Sequence, residues 1–268
     1  MQEPAASSTT APGPPVPVER KFQRIASIDW MRGLVMVLMV IDHASMAFDK
    51  YHVAKDSALY PDAATMALPA AAFFTRWITH LCAPSFVFLA GVALSLSVER
   101  RVSRGGNAWE IDKNILIRGA LIALLDLTLI SFGSGRWTLQ VLLAIGLSIM
   151  CMAFLRRLPS WLLMTLALGW MVLGEIPTGW VWHPPGNSSI LAALTMATYG
   201  SDTMIIKYPL FPWLAIMILG WVAGRNAINY VEGRSRLSSK MVLLIAGIPG
   251  LVVFAVFRYL AGDGDMFL

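Results

Sequence analysis

The chain has 268 residues, a net charge of +5, 57% hydrophobic and 14% charged residues, and a mean hydropathy of +0.64. An ordinary soluble domain carries about a quarter charged residues, so this composition excludes one and points to a polytopic membrane protein. The positive balance does not indicate nucleic acid, because the basic residues sit between apolar runs, where they set membrane topology.

The first eighteen residues are dominated by Ala, Pro, Ser and Thr and hold no apolar signal-peptide core. Residues 1–23 are therefore read as a disordered cytoplasmic tail, and 24–268 as one membrane-embedded domain. Seven apolar runs predict helices over 27–48, 70–98, 114–132, 137–155, 160–176, 209–225 and 240–261. The expected fold is an all-α transmembrane bundle, since only helices satisfy their own backbone in lipid and these runs are too long for barrel strands. Pro84 predicts a kink in the second helix. Cys82 and Cys151 fall inside apolar runs and read as small buried hydrophobes. Two outer segments are long, 49–69 and 177–208, and Ile190 to Ala197 within the second reads as a short interfacial helix. There is no internal repeat of the kind secondary transporters show.

Orientation follows from the basic residues. Fourteen fall on one side, among them Arg20, Lys21, Arg24, Arg100, Arg101, Arg104, Arg156, Arg157, Arg225 and Lys240; five fall on the other. The positive-inside rule places the N-terminus in the cytoplasm and, with an odd helix count, the C-terminus outside.

The first helix carries the densest set of ionisable groups. Arg32 and His43 are eleven residues apart, which is about three turns and roughly 16 Å, so they share one stripe. Asp29 lies one turn before Arg32 and is expected to pair with it. Asp42 points about 100° away from its neighbour His43. Intramembrane ionisable residues are functional candidates by default, and His43 is suited to act as a general base. Arg76 and His80 are one turn apart on the second helix. Asp126, in the middle of the third, should face the bundle, as a structural partner for Arg32, Arg76 or His80 or as a protonated acid. No metal-ligand spacing, phosphate loop, nucleophile elbow or dinucleotide fingerprint is present.

The stretch R-I-A-S-I-D-W-M-R-G-L-V-M-V-L-M-V-I-D-H, with T-H-L-C-A-P-S-F-V-F-L-A-G, W-T-L-Q-V-L-L-A-I-G-L-S-I-M and K-Y-P-L-F-P-W-L-A-I-M-I-L-G-W-V-A-G-R, resembles the bacterial branch of the heparan-alpha-glucosaminide N-acetyltransferase catalytic-domain family over about 24–225. The opening stretch is also similar to the membrane acyltransferase family three, which has an aspartate, an R-G pair and a histidine eleven residues after the arginine. Here those are Asp29, Arg32, Gly33 and His43.

The resemblance implies a bacterial inner-membrane acetyltransferase that takes an acetyl group from cytoplasmic acetyl-CoA, without a metal, to a sugar or glycan on the periplasmic side. His43 is then the matched acyl-transfer histidine, and its neighbour Asp42 stands beside it as a catalytic candidate. His80 and His52 stand as alternatives, His52 because the lysosomal relative places its histidine in the first outer loop. Arg32 would help with the CoA or with the architecture, and Gln140 falls at the family's helix-four glutamine; Asp29 and Arg76 are taken with them as donor-binding candidates. Partners are then the bilayer and a carbohydrate acceptor, with no nucleic acid; a homo-oligomer is left open. Relatives usually continue for several more helices, so the sequence reads as C-terminally truncated or a short form. Two other readings stay open: a proton-coupled transporter using the same ionisable groups, and a non-catalytic membrane scaffold.

Overall fold

The structure, a computed structural model, describes residues 26–48, 75, 78–182 and 188–260. The tail at 1–23, the segment that holds His52, and Arg76 lie outside the described residues. The elements run α1 (Ala26–Phe48), α2 (Cys82–Ser103), α3 (Ala108–Leu125), a π-helical turn (Asp126–Ile130), α4 (Ser131–Ser134), β1 (Trp137–Leu139), α5 (Val141–Leu155), α6 (Ser160–Leu173), α7 (Glu175–Val181), α8 (Ile190–Thr195), β2 (Tyr199–Gly200), β3 (Met204–Ile206), α9 (Leu210–Val231) and α10 (Ser239–Leu260).

Three of these helical segments are long and apolar enough to cross a membrane: α2, α9 and the continuous run Ala108–Gly133. A fourth crossing exists if α6 and α7, bent by 54° at Gly174, count as one broken span. Pro177 supplies the reason for the bend, since in a continuous helix its ring would meet the carbonyl of Leu173 and its backbone would donate no hydrogen bond. The expectation of seven spanning helices is thus met in part. At 15 residues, α5 rises only about 22 Å, short of the bilayer core. The outward faces of α1, α3 and α10 expose Leu34, Val37, Leu121, Leu124, Leu244 and Leu251. Apolar surface of that extent on long helices marks an integral membrane protein.

Two glycine-lined interfaces set the packing. In α9, Gly220 and Gly224 stand four apart on one face and meet α2: a Cβ on Gly220 would lie 2.0 Å from the Phe88 carbonyl oxygen, and one on Gly91 would lie 2.2 Å from that of Met217. The two helices run parallel, touching backbone to backbone. In α3 and α5, which run antiparallel, Gly119 and Gly146 face each other, each with room for no more than hydrogen beside the other's carbonyl. Lipid gives helices no hydrophobic reason to associate, so close approach at small residues, with dispersion contacts and Cα–H···O contacts, carries the association. Around these contacts the core gathers Val87, Met152, Leu163, Met217 and Trp221, all wholly buried.

The ends of the bundle are tied by polar groups. At one end, here termed the basic end, Asp112 of α3 accepts from Arg156 Nε and Arg157 Nη2, both at 2.5 Å. Arg225 of α9 donates to the Arg156 carbonyl (2.6 Å), the Leu158 carbonyl (3.1 Å) and, more weakly, Glu99 of α2 (3.4 Å). One guanidinium thereby joins α9, α2 and the α5–α6 turn.

At the other end Asp126 is wholly buried in the π-helical turn, and its Oδ2 accepts from the backbone N–H of Gln140 (2.6 Å) and Leu143 (3.1 Å). A carboxylate from one helix thus caps the N-terminus of another, where the amides lack intrahelical partners and the dipole favours negative charge. The sequence reading of Asp126 as a partner for Arg32 or His80 is corrected: its partners are the main-chain amides of Gln140, just before α5, and Leu143.

Three further expectations change. The fourth helix begins at Val141, because Trp137–Leu139 form a strand parallel to β3, in register Trp137↔Met204 and Leu139↔Ile206, with β2 antiparallel on the other edge of β3. An aromatic and a β-branched residue favour that conformation, so the fold is mostly helical with one small sheet rather than all-α. Pro84 falls in the first turn of α2, where its missing N–H breaks no bond within that helix, and the helix expected over 70–98 is interrupted by a turn at His80 and Leu81, just before the proline. The long segment after the fifth helix is also structured, holding α7, α8 and both short strands; α8 falls where the interfacial helix was expected. Both cysteine thiols are free.

These contacts generate two predictions. Gly220→Val should destabilise the purified protein by at least the ~1–3 kcal/mol of an overpacked core, whereas Gly247→Ala, with open space around it, should leave the melting temperature nearly unchanged. Asp112→Asn should cost about 3–5 kcal/mol, as loss of one partner from a buried ion pair does. Thermal melts in detergent followed by size-exclusion fluorescence measure both; equal melting curves for Gly220→Val and wild type would contradict the interface.

Candidate functional site at the two ends of the α1–α2 seam

Helix α1 meets the bundle along one stripe. Ile28, Val35 and Asp42 recur every seven residues, and each step of seven rotates only about 20° around a helix. Val35 is buried against Cys82 and Leu89 of α2, with Ile28, Leu38, Met39 and Phe86 packed around them. Arg32 and His43 therefore flank this seam on one side instead of marking its centre. The residue that points into α2 at the far end is Asp42, half-buried, with Oδ1 accepting from the buried Thr79 hydroxyl at 2.7 Å. That bond joins the end of α1 to the turn that opens α2.

His43 lies beside this pair on the exposed side of α1. Its Nδ1 is 2.8 Å from the Met39 carbonyl oxygen. A carbonyl only accepts, so Nδ1 carries the proton in the neutral ring and Nε2 is left as the basic nitrogen. That nitrogen can accept a proton. His80, exposed, sits next to Thr79 at the same end. The structure thus brings Asp42, His43, Thr79 and His80 to one end of the seam; His52 and Arg76 lie outside the described residues.

At the basic end the seam opens into a cleft of about 380 Å³ between the start of α1 and the end of α2. Asp29, Arg32, Ser97, Arg100, Arg101 and Arg104 line it, with Ile28, Ala93 and Leu96 beneath. The expected Asp29–Arg32 ion pair does not form: both side chains line the cleft, and among the described residues neither makes a salt bridge. Four guanidiniums face one carboxylate there. Arg100, Arg101 and Arg104 were legible in the sequence only as topology signals, because nothing in their spacing shows that α1 lies across them.

Gln140 does not line the cleft at the basic end. It is the residue before α5, half-buried, with its backbone N–H given to Asp126. The Thr79–Asp42 bond escaped the sequence reading, since the two residues are 37 positions apart on different helices.

A search of curated proteins and a search of solved structures each find no match to this chain. A family model does match, that of the heparan-alpha-glucosaminide N-acetyltransferase catalytic domain, and it covers residues 24–257. Its bounds include α1 with both ends of the seam, all of α9 and most of α10. The chain therefore belongs to the heparan-alpha-glucosaminide N-acetyltransferase catalytic-domain family.

Proposed function

We propose that this protein is an integral membrane acetyltransferase that moves an acetyl group from cytoplasmic acetyl-CoA to an amine or hydroxyl of a sugar on the opposite side of the bacterial inner membrane. The observation that carries the reading is the polarity of the α1–α2 seam, with a cationic cleft at one end and a histidine of defined tautomer at the other. Arg32 and His43 are about 16 Å apart along α1, a separation that a thioester on a long flexible arm can bridge. The positive-inside rule assigns the basic end to the cytoplasm.

In this reading Arg32 and Asp29 meet the donor at the basic end. His43 Nε2 takes the proton from the acceptor nitrogen or oxygen as it attacks the thioester carbonyl, and the CoA thiolate leaves and is protonated. Asp42 is a positioning residue. Its bond from Thr79 holds the end of α1 against α2 and so fixes where the His43 ring stands. His80 and His52 are the competing bases, and Arg76 and Gln140 are further candidates for donor contact.

The test uses purified protein, labelled acetyl-CoA and a panel of amino-sugar acceptors. Wild type should transfer label, and His43→Ala should lose about 10²–10⁴-fold in kcat with little change in donor KM. Asp42→Ala should lose less, and part of its loss should appear as altered acceptor KM. Full activity in His43→Ala together with loss in His80→Ala or His52→Ala would move the base. No transfer by well-folded protein, with pH-gradient-driven flux in vesicles instead, would replace the enzyme by the transporter.

A further inference from the structure

We propose that the groove at the bend between α6 and α7 seats one acyl chain of a phospholipid from the leaflet opposite the basic end. Helix α6 packs on α9, whereas α1 packs on α2, so this site is separate from the α1–α2 seam and stands apart from the acetyltransferase reading.

The depth of the groove follows from the helices that carry it. Helix α6 starts at the basic end, where Arg225 Nη1 donates to the Leu158 carbonyl at 3.1 Å. Its 14 residues rise about 21 Å. The seven residues of α7, bent away by 54°, add roughly 6 Å along the same direction. Exposed tryptophans mark both ends, Trp161 at the start of α6 and Trp180 near the end of α7. Tryptophan gathers at the two membrane–water interfaces, and the total of about 27 Å is close to the ~30 Å of a hydrocarbon core. The bent pair is thereby one broken span, with the bend inside the hydrocarbon.

The groove has a volume of about 480 Å³. Leu166, Trp170, Leu173 and Ile176 wall it, and Gly169 and Gly174 add no side chain to fill it. It reaches from Pro177, within a turn of Trp180, to Thr165, which stands about 8 Å above the start of α6. It therefore approaches the far interface and stays short of the basic one. Its length along the span, about 16 Å, matches the ~15 Å depth of one leaflet.

The lining suits a hydrocarbon. Among the described residues it holds no ionisable side chain. The Thr165 hydroxyl donates to the Trp161 carbonyl (3.0 Å), the Gly174 N–H to the Trp170 carbonyl (2.8 Å), and the Gly174 carbonyl accepts the Thr178 hydroxyl (2.8 Å). Leu166, Leu173 and Ile176 also belong to the exposed apolar surface, so the groove is continuous with the face that meets lipid. A gap in that face forfeits dispersion contacts until something fills it. A helix of the same length and ~10 Å diameter would displace about 1,200 Å³, far more than the groove offers. A single slender chain fits, with its headgroup at the level of Trp180.

The test uses proteoliposomes of phosphatidylethanolamine and phosphatidylglycerol with a trace of phosphatidylcholine that carries a diazirine midway along one chain. After photolysis, adducts are mapped by peptide mass spectrometry. Passing lipids label every lipid-facing helix, so the peptides holding Leu121, Leu124, Leu244 and Leu251, all exposed, give the baseline. Residues 165–177 should carry at least about fivefold more label than that baseline. A Cβ at Gly169 meets nothing within 4 Å, so Gly169→Leu fills the groove without a clash. It should bring label on 165–177 down to the baseline and leave the other peptides unchanged. Truncating the walls, in Leu166→Ala/Leu173→Ala, should lower it likewise. Val172→Leu, exposed on the same helix and outside the groove, should behave as wild type.

Label on 165–177 no higher than the baseline, or unchanged in both groove variants, would overturn the proposal. So would a dimer cross-linked through a photoreactive residue placed at Leu173, which would assign the groove to a second copy of the chain.

Discussion

The contact on which the rest of the bundle depends is the backbone-to-backbone approach of α9 to α2. Gly220 leaves space for nothing larger than hydrogen beside the Phe88 carbonyl, and Gly91 does the same on the facing helix. Both helices are built of residues that lipid would solvate equally well, so burial alone gives them no reason to meet. Once they meet, Trp221 and Met217 are enclosed, and Arg225, one turn beyond Trp221, is carried to Glu99 and to the α5–α6 turn. The surface of α2 left uncovered by α9 is where α1 lies. The seam between α1 and α2, with its cleft at one end and Asp42–Thr79 at the other, is in that sense a consequence of two glycines.

A second constraint is the absence of water. Among the described residues, the break between α3 and α5 comes with a local answer to the backbone groups it frees. It comes from Asp126, which accepts the amides of Gln140 and Leu143, and from β1, whose Trp137 and Leu139 exchange hydrogen bonds with the chain around β3. In lipid such answers are obligatory, since each unsatisfied group costs several kcal/mol. Asp126 Oδ2 thus has a structural role as the cap of α5, while among the described residues its Oδ1 is buried without a hydrogen-bond partner.

How far the sequence was legible follows from the kind of interaction involved. Helix positions for α1, α9 and α10 were readable because each is a long, mostly apolar run. The strand at Trp137–Leu139 was not, because a three-residue strand within an apolar run takes its identity from β3, some 67 residues later, through the pairing Trp137↔Met204. The phase of α1 was half legible. Helical geometry put Arg32 and His43 on one side, but only the position of α2 shows that the seam runs through Val35 and Asp42. The Asp29–Arg32 pair was the reading that spacing favoured, and it fails because both side chains turn to the cleft instead of to each other. Arg100, Arg101 and Arg104 looked like topology signals, and their convergence with Arg32 is a tertiary fact that no local pattern encodes.

The central claim is that chemistry runs along α1, from a donor at the basic end to an acceptor at the histidine end. Proteoliposomes test it most directly, with protein oriented basic end outward, labelled acetyl-CoA outside only and amino-sugar acceptor trapped inside. The account predicts that label appears on the trapped acceptor while free CoA accumulates outside. Transfer that occurs only when donor and acceptor are supplied on the same side, or no transfer in either arrangement, would contradict it.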